Sequence, residues 1–432
     1  QDPLMVMTFG NHEFDGRDAQ DAEALQAHLQ ASEFTWLDTN IQWSEAVGVD
    51  HMVGRAHVQL SGVDIGLFSL TTDAAIPAYA SFDTAYEELA RAQVAALRQE
   101  GARFVIALTH LSVEQDRELL GALGDQGPDL LLGGHDHVAI AEQVQGTWLV
   151  KSAADAVAVQ QIKVAFLDDG GHEVFVETRT MDDEVPRDPT VQARIEHWQA
   201  RAEALYCDDH APGCLDVAYA TTTSDLQAEE LTIRRYESNL GDYLADLARE
   251  HFEADVAVLN SGALRLNQDV PAGSAITQRL LEELLPYPIQ LVELDLTGAQ
   301  LQAMLDHSVS AWTGSGHWLQ VSGIAFTHDV ATHAAQDLHL LSAEGPLRVT
   351  PEMKLRVVVP RYIVDPAFGD QDGYGLPGNG GLSWDLATDH PSQKTGVEEL
   401  LLERLSQVEA IAPERDGRIC STDRTALPCL LE

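Results

Sequence analysis

At 432 residues with 45% hydrophobic content, the chain is long enough for two or more domains, each with its own core. Its 69 acidic residues against 26 basic ones give a formal net charge of −43. That charge argues against a nucleic-acid polymer or an anionic membrane as a partner, and it disfavours anionic substrates unless metal ions or local arginines reverse the field. No apolar run reaches membrane-spanning length.

Only Lys151, Lys163, Lys354 and Lys394 are lysines. Such a surface suits a salty habitat, where screening relieves self-repulsion; ordinary acidic solubility is the plainer alternative. The cysteines fall in two local pairs, Cys207 with Cys214 and Cys420 with Cys429. Pairs of this kind suit small disulfide loops of an exported protein, with four reduced thiols as the alternative. Residue 1 starts almost directly on a strand, which points to missing upstream sequence.

Taken in order, Leu4-Met5-Val6-Met7 is a short apolar run of buried-strand type, and Ala19 to Ala31 reads as a helix. Between them lies Thr-Phe-Gly-Asn-His-Glu-Phe-Asp-Gly-Arg, residues 8 to 17. A loop at a strand's C-terminal edge is where α/β sheets hold catalytic groups. Asn11 can give a carbonyl oxygen to a metal, His12 can donate a proton to a leaving oxygen, and Asp15 can fix the imidazole's tautomer.

Residues 35 to 70 alternate strand-like runs with turns, and Tyr86 to Gly101 is an amphipathic helix with Leu89, Val94 and Leu97 on its apolar side. The strand Phe104 to Leu108 delivers Thr109-His110-Leu111, and Asp129 to Leu132 delivers Gly133-Gly134-His135-Asp136-His137, with a helix from about Glu114 to Leu123 between them. Further strands lie near Thr147–Val150, Val157–Leu167 and Glu173–Thr178. Alternating β and α with apolar strands defines an α/β fold.

Met181 to Pro189 reads as a domain exit, and Thr190 to Tyr206 as a connecting helix. A second α/β unit runs from about Asp216. It has helices at Leu240–Phe252, Ala299–Ser308 and Val397–Val408, and strands at Asp255–Leu259, Leu291–Leu296 and Leu355–Val359.

Three loops thus carry His12, His110, and His135 with His137, each after an apolar strand; parallel strands would bring them to one edge. Histidine and Asn donors suit Zn, Mn, Co or Fe. On an extended loop His135 and His137 would point apart, so that one could ligate each of two ions. A pair of ions about 3.5–4 Å apart clamps a phosphoryl group and activates a water.

The order Gly10-Asn11-His12-Glu13-Phe14-Asp15, Thr109-His110, Gly134-His135-Asp136-His137 closely resembles the calcineurin-like metallophosphoesterases. The second half resembles the 5′-nucleotidase C-terminal domain through Glu237-Ser238-Asn239-Leu240-Gly241, Asn260-Ser261-Gly262-Ala263-Leu264-Arg265, Trp318-Leu319-Gln320-Val321-Ser322-Gly323 and Asp372-Gly373-Tyr374.

The resemblance implies a four-layer α/β/β/α sandwich over residues 1–185, lacking its first strands. A connector and cysteine loop at 186–215 and an α/β substrate-binding domain at 216–432 follow. It implies two divalent ions, with Asn11, His110 and His135 on one and His137 on the other. His12 would be the catalytic histidine, with Asp15 beside it. Asn260, Gly262 and Arg265 would line the substrate site, and Trp318 and Tyr374 would sandwich a nucleobase. The implied reaction is hydrolysis of a nucleotide phosphomonoester by an exported protein, with domain rotation carrying substrate to the ions.

The sequence departs from the family at its first motif, an Asp-x-His, and at the Gly-Asp motif whose Asp bridges both ions; neither occurs at the start. Asp208-Asp209-His210 and Asp337-Leu338-His339 do not follow a first strand and are not replacements. The second metal site is therefore expected to be incomplete in these 432 residues, with weak or no dinuclear binding unless other polypeptide supplies the missing strands. A nucleotide- or nucleoside-binding protein without catalysis is the alternative function. A third possibility, a related hydrolase acting on a sulfur ester, would not need an aromatic clamp.

Overall fold

The structure is a computed structural model that describes residues 4–16, 18–44, 47–73, 77–168, 170–182, 184–208, 213–311, 316–368, 371–388, 395–424 and 429–431. Arg17, Asp209-His210, residues 312–315, Gly369-Asp370 and Lys394 lie outside them. The chain forms two units, Gln1–Pro186 and Arg187–Glu432.

The first unit is built on a six-stranded sheet. Its four central and near-central strands, Val63–Thr71, Phe104–His110, Leu130–Gly133 and Thr147–Lys151, run parallel, with antiparallel edges Ala56–Leu60 and Ile140–Val144. Alternate side chains of these strands face opposite ways. Phe68, Val105, Ala107 and Leu131 pack with the helices Tyr86–Glu100 and Val113–Leu123 on one face. Phe104, Leu130 and Val150 pack against the hairpin Ala158–Phe166 and His172–Thr180 on the other. A smaller parallel sheet joins Val6–Thr8, Thr35–Leu37 and Met52–Val53.

The helix Ala19–Ala31 begins at Asp18, whose carboxylate accepts from the N–H groups of Gln20 and Asp21. That cap satisfies two of the free donors at the helix start.

In the second unit a four-stranded sheet orders Leu291–Thr297, Lys354–Pro360, Val256–Asn260 and Leu319–Ser322. Both faces are covered, which is why every residue of Val256–Asn260 is buried. Ala257, Leu259 and Val358 face one core, whereas Val256, Val258, Val357 and Val359 face the other. The helix Pro189–Asp208 falls in this unit, and both cysteine pairs are disulfide-bonded. Among the described residues no helix is long and apolar enough to cross a membrane.

His328, on the strand Ile324–Asp329, is buried with Nδ1 3.1 Å from Ser421 Oγ, and burial pushes its pKa down to about 4. The unfolded chain takes up that proton near pH 6.5, whereas the folded chain resists until about 4. This contribution is therefore complete above pH 6.5 and is lost as pH falls from 6.5 to 4, by at most about 3 kcal/mol. Thermal unfolding across that range should show His328→Gln with a shallower acid loss than the parent; equal slopes would contradict the assignment.

Candidate active site

The first loop is fixed from both ends by aromatic burial. Phe9 and Phe14 are fully buried among Trp36, Trp43 and Phe82, with ring centroids of the paired rings 4.7 to 5.9 Å apart. The polar residues between them, Asn11, His12 and Glu13, are thereby held at the surface in a single 3-10 turn, Asn11–Phe14. The Glu13 carboxylate accepts from the Gly10 N–H at 2.6 Å, and Tyr79 donates to the Gly16 carbonyl at 2.9 Å. His12 Nδ1 lies 2.9 Å from Asp15 Oδ2, so the expected His–Asp pair is formed, and it is open to solvent.

His110 is the last residue of its strand, and its Nε2 lies 3.1 Å from Asn11 Oδ1. The His135 ring stands edge-on to it at 5.2 Å. Burial, then the nearby charges of His135, Lys151, His12 and His137, push the His110 pKa down to about 4. Burial also lowers that of His135. Both imidazoles are therefore neutral at pH 7, the form that binds metal. Asn11, His110 and His135 thus come together, and His12 and His137 lie within electrostatic reach of them.

Two glycines make the approach possible. A Cβ on Gly10 would sit 2.7 Å from His110 Cε1, and one on Gly134 would sit 3.0 Å from His110 Nδ1.

The loop from Gly134 to His137 is not extended. His135 and His137 have φ of 78° and 60°, in the left-handed region. The cause is the residue between them: Asp136 turns inward, accepting from the Val113 N–H at 3.0 Å and pairing with Lys151 Nζ at 2.5 Å.

This donor set fits one divalent ion, since it offers two neutral imidazoles and an amide carbonyl. Among the described residues, these loops contain no group of three His, Cys, Asp or Glu donors within 4.8 Å of one another. Asp136, the carboxylate of the His135 loop, is engaged elsewhere.

In the second unit, Asn260 ends its strand and donates through Nδ2 to Asp372 Oδ2 at 3.1 Å. Tyr362 donates to Asp372 Oδ1 at 3.2 Å. The Gly262 N–H donates to the Gly316 carbonyl at 2.9 Å, and a Cβ on Gly262 would meet Gly316 Cα at 2.8 Å. The Arg265 guanidinium lies 5.8 Å from the centre of the Tyr287 ring, which is 57% exposed between two prolines.

Trp318 and Tyr374 are corrections to the sequence reading. Both are fully buried in one core cluster and offer no face to a base. Trp318 leads into a strand covered on both sides, and its ring packs edge-on to His328. The Tyr374 hydroxyl donates to the His317 carbonyl. Sequence reasoning also passed over Lys151, Tyr287, Tyr362 and the carboxylate role of Asp372. Signals existed for two of them: a rare lysine directly after an apolar strand, and a tyrosine bracketed by prolines.

Parallel strands that deliver an Asn-His turn and two histidine loops to one place define a calcineurin-like phosphoesterase domain, and residues 2–139 match that family. Residues 217–369 match the 5′-nucleotidase C-terminal domain. The chain thus matches, in order, the two domain families that its sequence resembles.

It is 23% identical over 468 residues to the trifunctional nucleotide phosphoesterase protein YfkN of Bacillus subtilis (strain 168), covering 96% of this chain but only 30% of that protein. It is 23% identical to a 5′-nucleotidase of Vibrio vulnificus (strain CMCP6), covering 86% of this chain and 73% of the relative. The fold matches a 5′-nucleotidase precursor from Thermus thermophilus at a TM-score of 0.72 and 22% identity, over 96% of this chain and 83% of that one. It matches the sulfate thiohydrolase SoxB equally, at a TM-score of 0.72 and 18% identity, over 98% and 74% of the two chains.

Gly10 has φ −103° and ψ −176°, open to any residue, so Gly10→Ala tests the imidazole contact alone. The methyl group should displace His110 and cost about 1–3 kcal/mol in chemical denaturation, as overpacking does. Unchanged stability would show that the ring has room.

Proposed function

We propose that the chain hydrolyses nucleotide phosphomonoesters to nucleoside and phosphate in a metal-dependent reaction, with nucleoside 2′,3′-cyclic phosphates and nucleotide sugars as variant substrates. The observation that carries the reading is the convergence of Asn11, His110 and His135 beside the His12–Asp15 pair. The 5′-nucleotidase C-terminal domain that follows supports a nucleotide as the substrate.

Asn11, His110 and His135 would hold one divalent ion (zinc, manganese or cobalt by donor type), and His137 would serve a second. A bound ion at such a site supplies charge stabilisation at the phosphoryl oxygens and a water acidic enough to attack at neutral pH. The chain's own contribution is proton management. In the imidazolium form of His12, Nδ1–H is held by Asp15 and Nε2–H remains for the leaving oxygen, so the carboxylate fixes the ring's aim.

In the second unit, Arg265 is suited to a phosphate or ribose oxygen, and the exposed Tyr287 ring to stacking on a base. Asp372, fixed by Asn260 and Tyr362, suits ribose hydroxyls. Trp318 and Tyr374 would act by holding the site's shape. The two disulfides support an exported location.

One observation favours a second reading, a nucleotide-binding protein without turnover: among the described residues, the histidine loops contain no group of three His, Cys, Asp or Glu donors within 4.8 Å of one another. His12→Ala separates the two. With manganese or cobalt added, phosphate release from a nucleoside monophosphate should fall at least ~100-fold while calorimetric nucleotide binding is retained. Binding without phosphate release in the parent chain would make the second reading correct.

A further inference from the structure

We propose that Lys151 is a positioning residue that sets the geometry of both histidine loops through one buried ammonium group. Lys151 ends the strand Thr147–Lys151 and is 1% exposed. The other described lysines, Lys163 and Lys354, are exposed. Its Nζ donates to the Leu111 carbonyl at 2.6 Å and to the Gly134 carbonyl at 3.0 Å. It also pairs with Asp116 Oδ2 at 2.7 Å and Asp136 Oδ2 at 2.5 Å.

Leu111 directly follows His110. Gly134 directly precedes His135, and Asp136 separates His135 from His137. One cation therefore fixes the chain immediately beside three of the four histidines.

An ammonium carries three protons, and here four oxygens compete for them, so the group has no freedom to swing away. The stem reaches this point because residue 133 is glycine. Lys151 pairs with Gly133 across the parallel ladder, and a Cβ there would meet Lys151 Cε at 2.8 Å. The ammonium contacts backbone carbonyls and carboxylates rather than ring nitrogens.

Two carboxylates face the one ammonium. Asp116 is fully buried on the helix Val113–Leu123, and burial raises its pKa to about 6 despite Lys151. Its carboxylate reaches the histidine loops through Lys151.

The consequence for metal affinity rests on the hydrolase reading given above; the consequence for ring position does not. Support groups behind metal ligands, when removed, typically weaken binding ~10–100-fold. The test is nitrogen–proton correlation NMR of the imidazoles in the metal-free 432-residue chain, followed by cobalt titration.

In Lys151→Met the His110 and His135 ring signals should move and broaden. His57, held remotely by Asp64 and Glu100, should stay in place as the internal control. Cobalt affinity should fall ~10–100-fold. Asp116→Asn should move the same two signals in the same direction by less, and it decides the matter if Lys151→Met does not fold. Lower stability with unmoved His110 and His135 signals would overturn the proposal, because that is what a purely structural lysine predicts. Moved signals in the variants, with a parent chain that binds no cobalt, would uphold the positioning role and remove the metal reading instead.

Discussion

Two parallel strands end side by side at histidine-bearing loops, and a single buried ammonium group ties those loops together. Burying one cation is costly unless its whole shell is satisfied, and the cost grows if a partner is lost. Lys151 meets that condition with two carboxylates and two backbone carbonyls. The same condition dictates the neighbouring residues: a glycine at 133 to pass the stem, and an inward Asp136. The left-handed backbone at His135 and His137 then follows, since the loop must turn to bring Asp136 under the strand. Strain of this kind persists where surrounding structure over-determines it.

The first loop solves the same problem by different means. Among its described residues it has no buried charge. It is held by two phenylalanines five residues apart, both fully buried. Burying each ring contributes roughly 1.5–3 kcal/mol, enough to hold the polar turn between them at the surface. Thr71 donates to the Phe9 carbonyl at 3.0 Å, and its N–H donates to Asn40 Oδ1 at 2.8 Å, which links this loop to the central sheet. The Thr72 N–H donates in turn to the His110 carbonyl. Asn11 can therefore meet His110 although 99 positions separate them.

Much of this was legible in the sequence because chemistry-bearing residues directly follow apolar strands. Asn11, His110 and His135 could be placed at one edge from that pattern alone. The direction of a side chain across a sheet was less legible. Trp318 and Tyr374 carry family-like spacing, but whether a ring faces a ligand or the core depends on what packs around it, and both lie in one buried cluster. Here the sheet is covered on both faces. The local turn at His135 and His137 was equally hidden, because its cause lies 15 residues away at Lys151. Tyr287 shows the converse: its prolines prevent regular strand or helix there, which leaves the ring exposed.

In the second unit, the chemistry of the polar site follows from its backbone. Gln371, Asp372 and Gly373 have φ of 61°, 50° and 80°, three left-handed residues in succession, two of them not glycine. Left-handed backbone costs roughly 1–2 kcal/mol per non-glycine residue. Local bonds hold it: His307 Nε2–H donates to the Asp372 carbonyl at 2.7 Å, and Gln371 donates to the Val364 carbonyl at 2.5 Å. The strain aims the Asp372 carboxylate at Asn260 and Tyr362, one on each oxygen. A carboxylate oxygen can accept more than one donor, so a carboxylate held this way takes hydroxyl donors and repels phosphate. On the reading proposed above, Asp372 would take the sugar hydroxyls and Arg265, beside the exposed Tyr287, the phosphate.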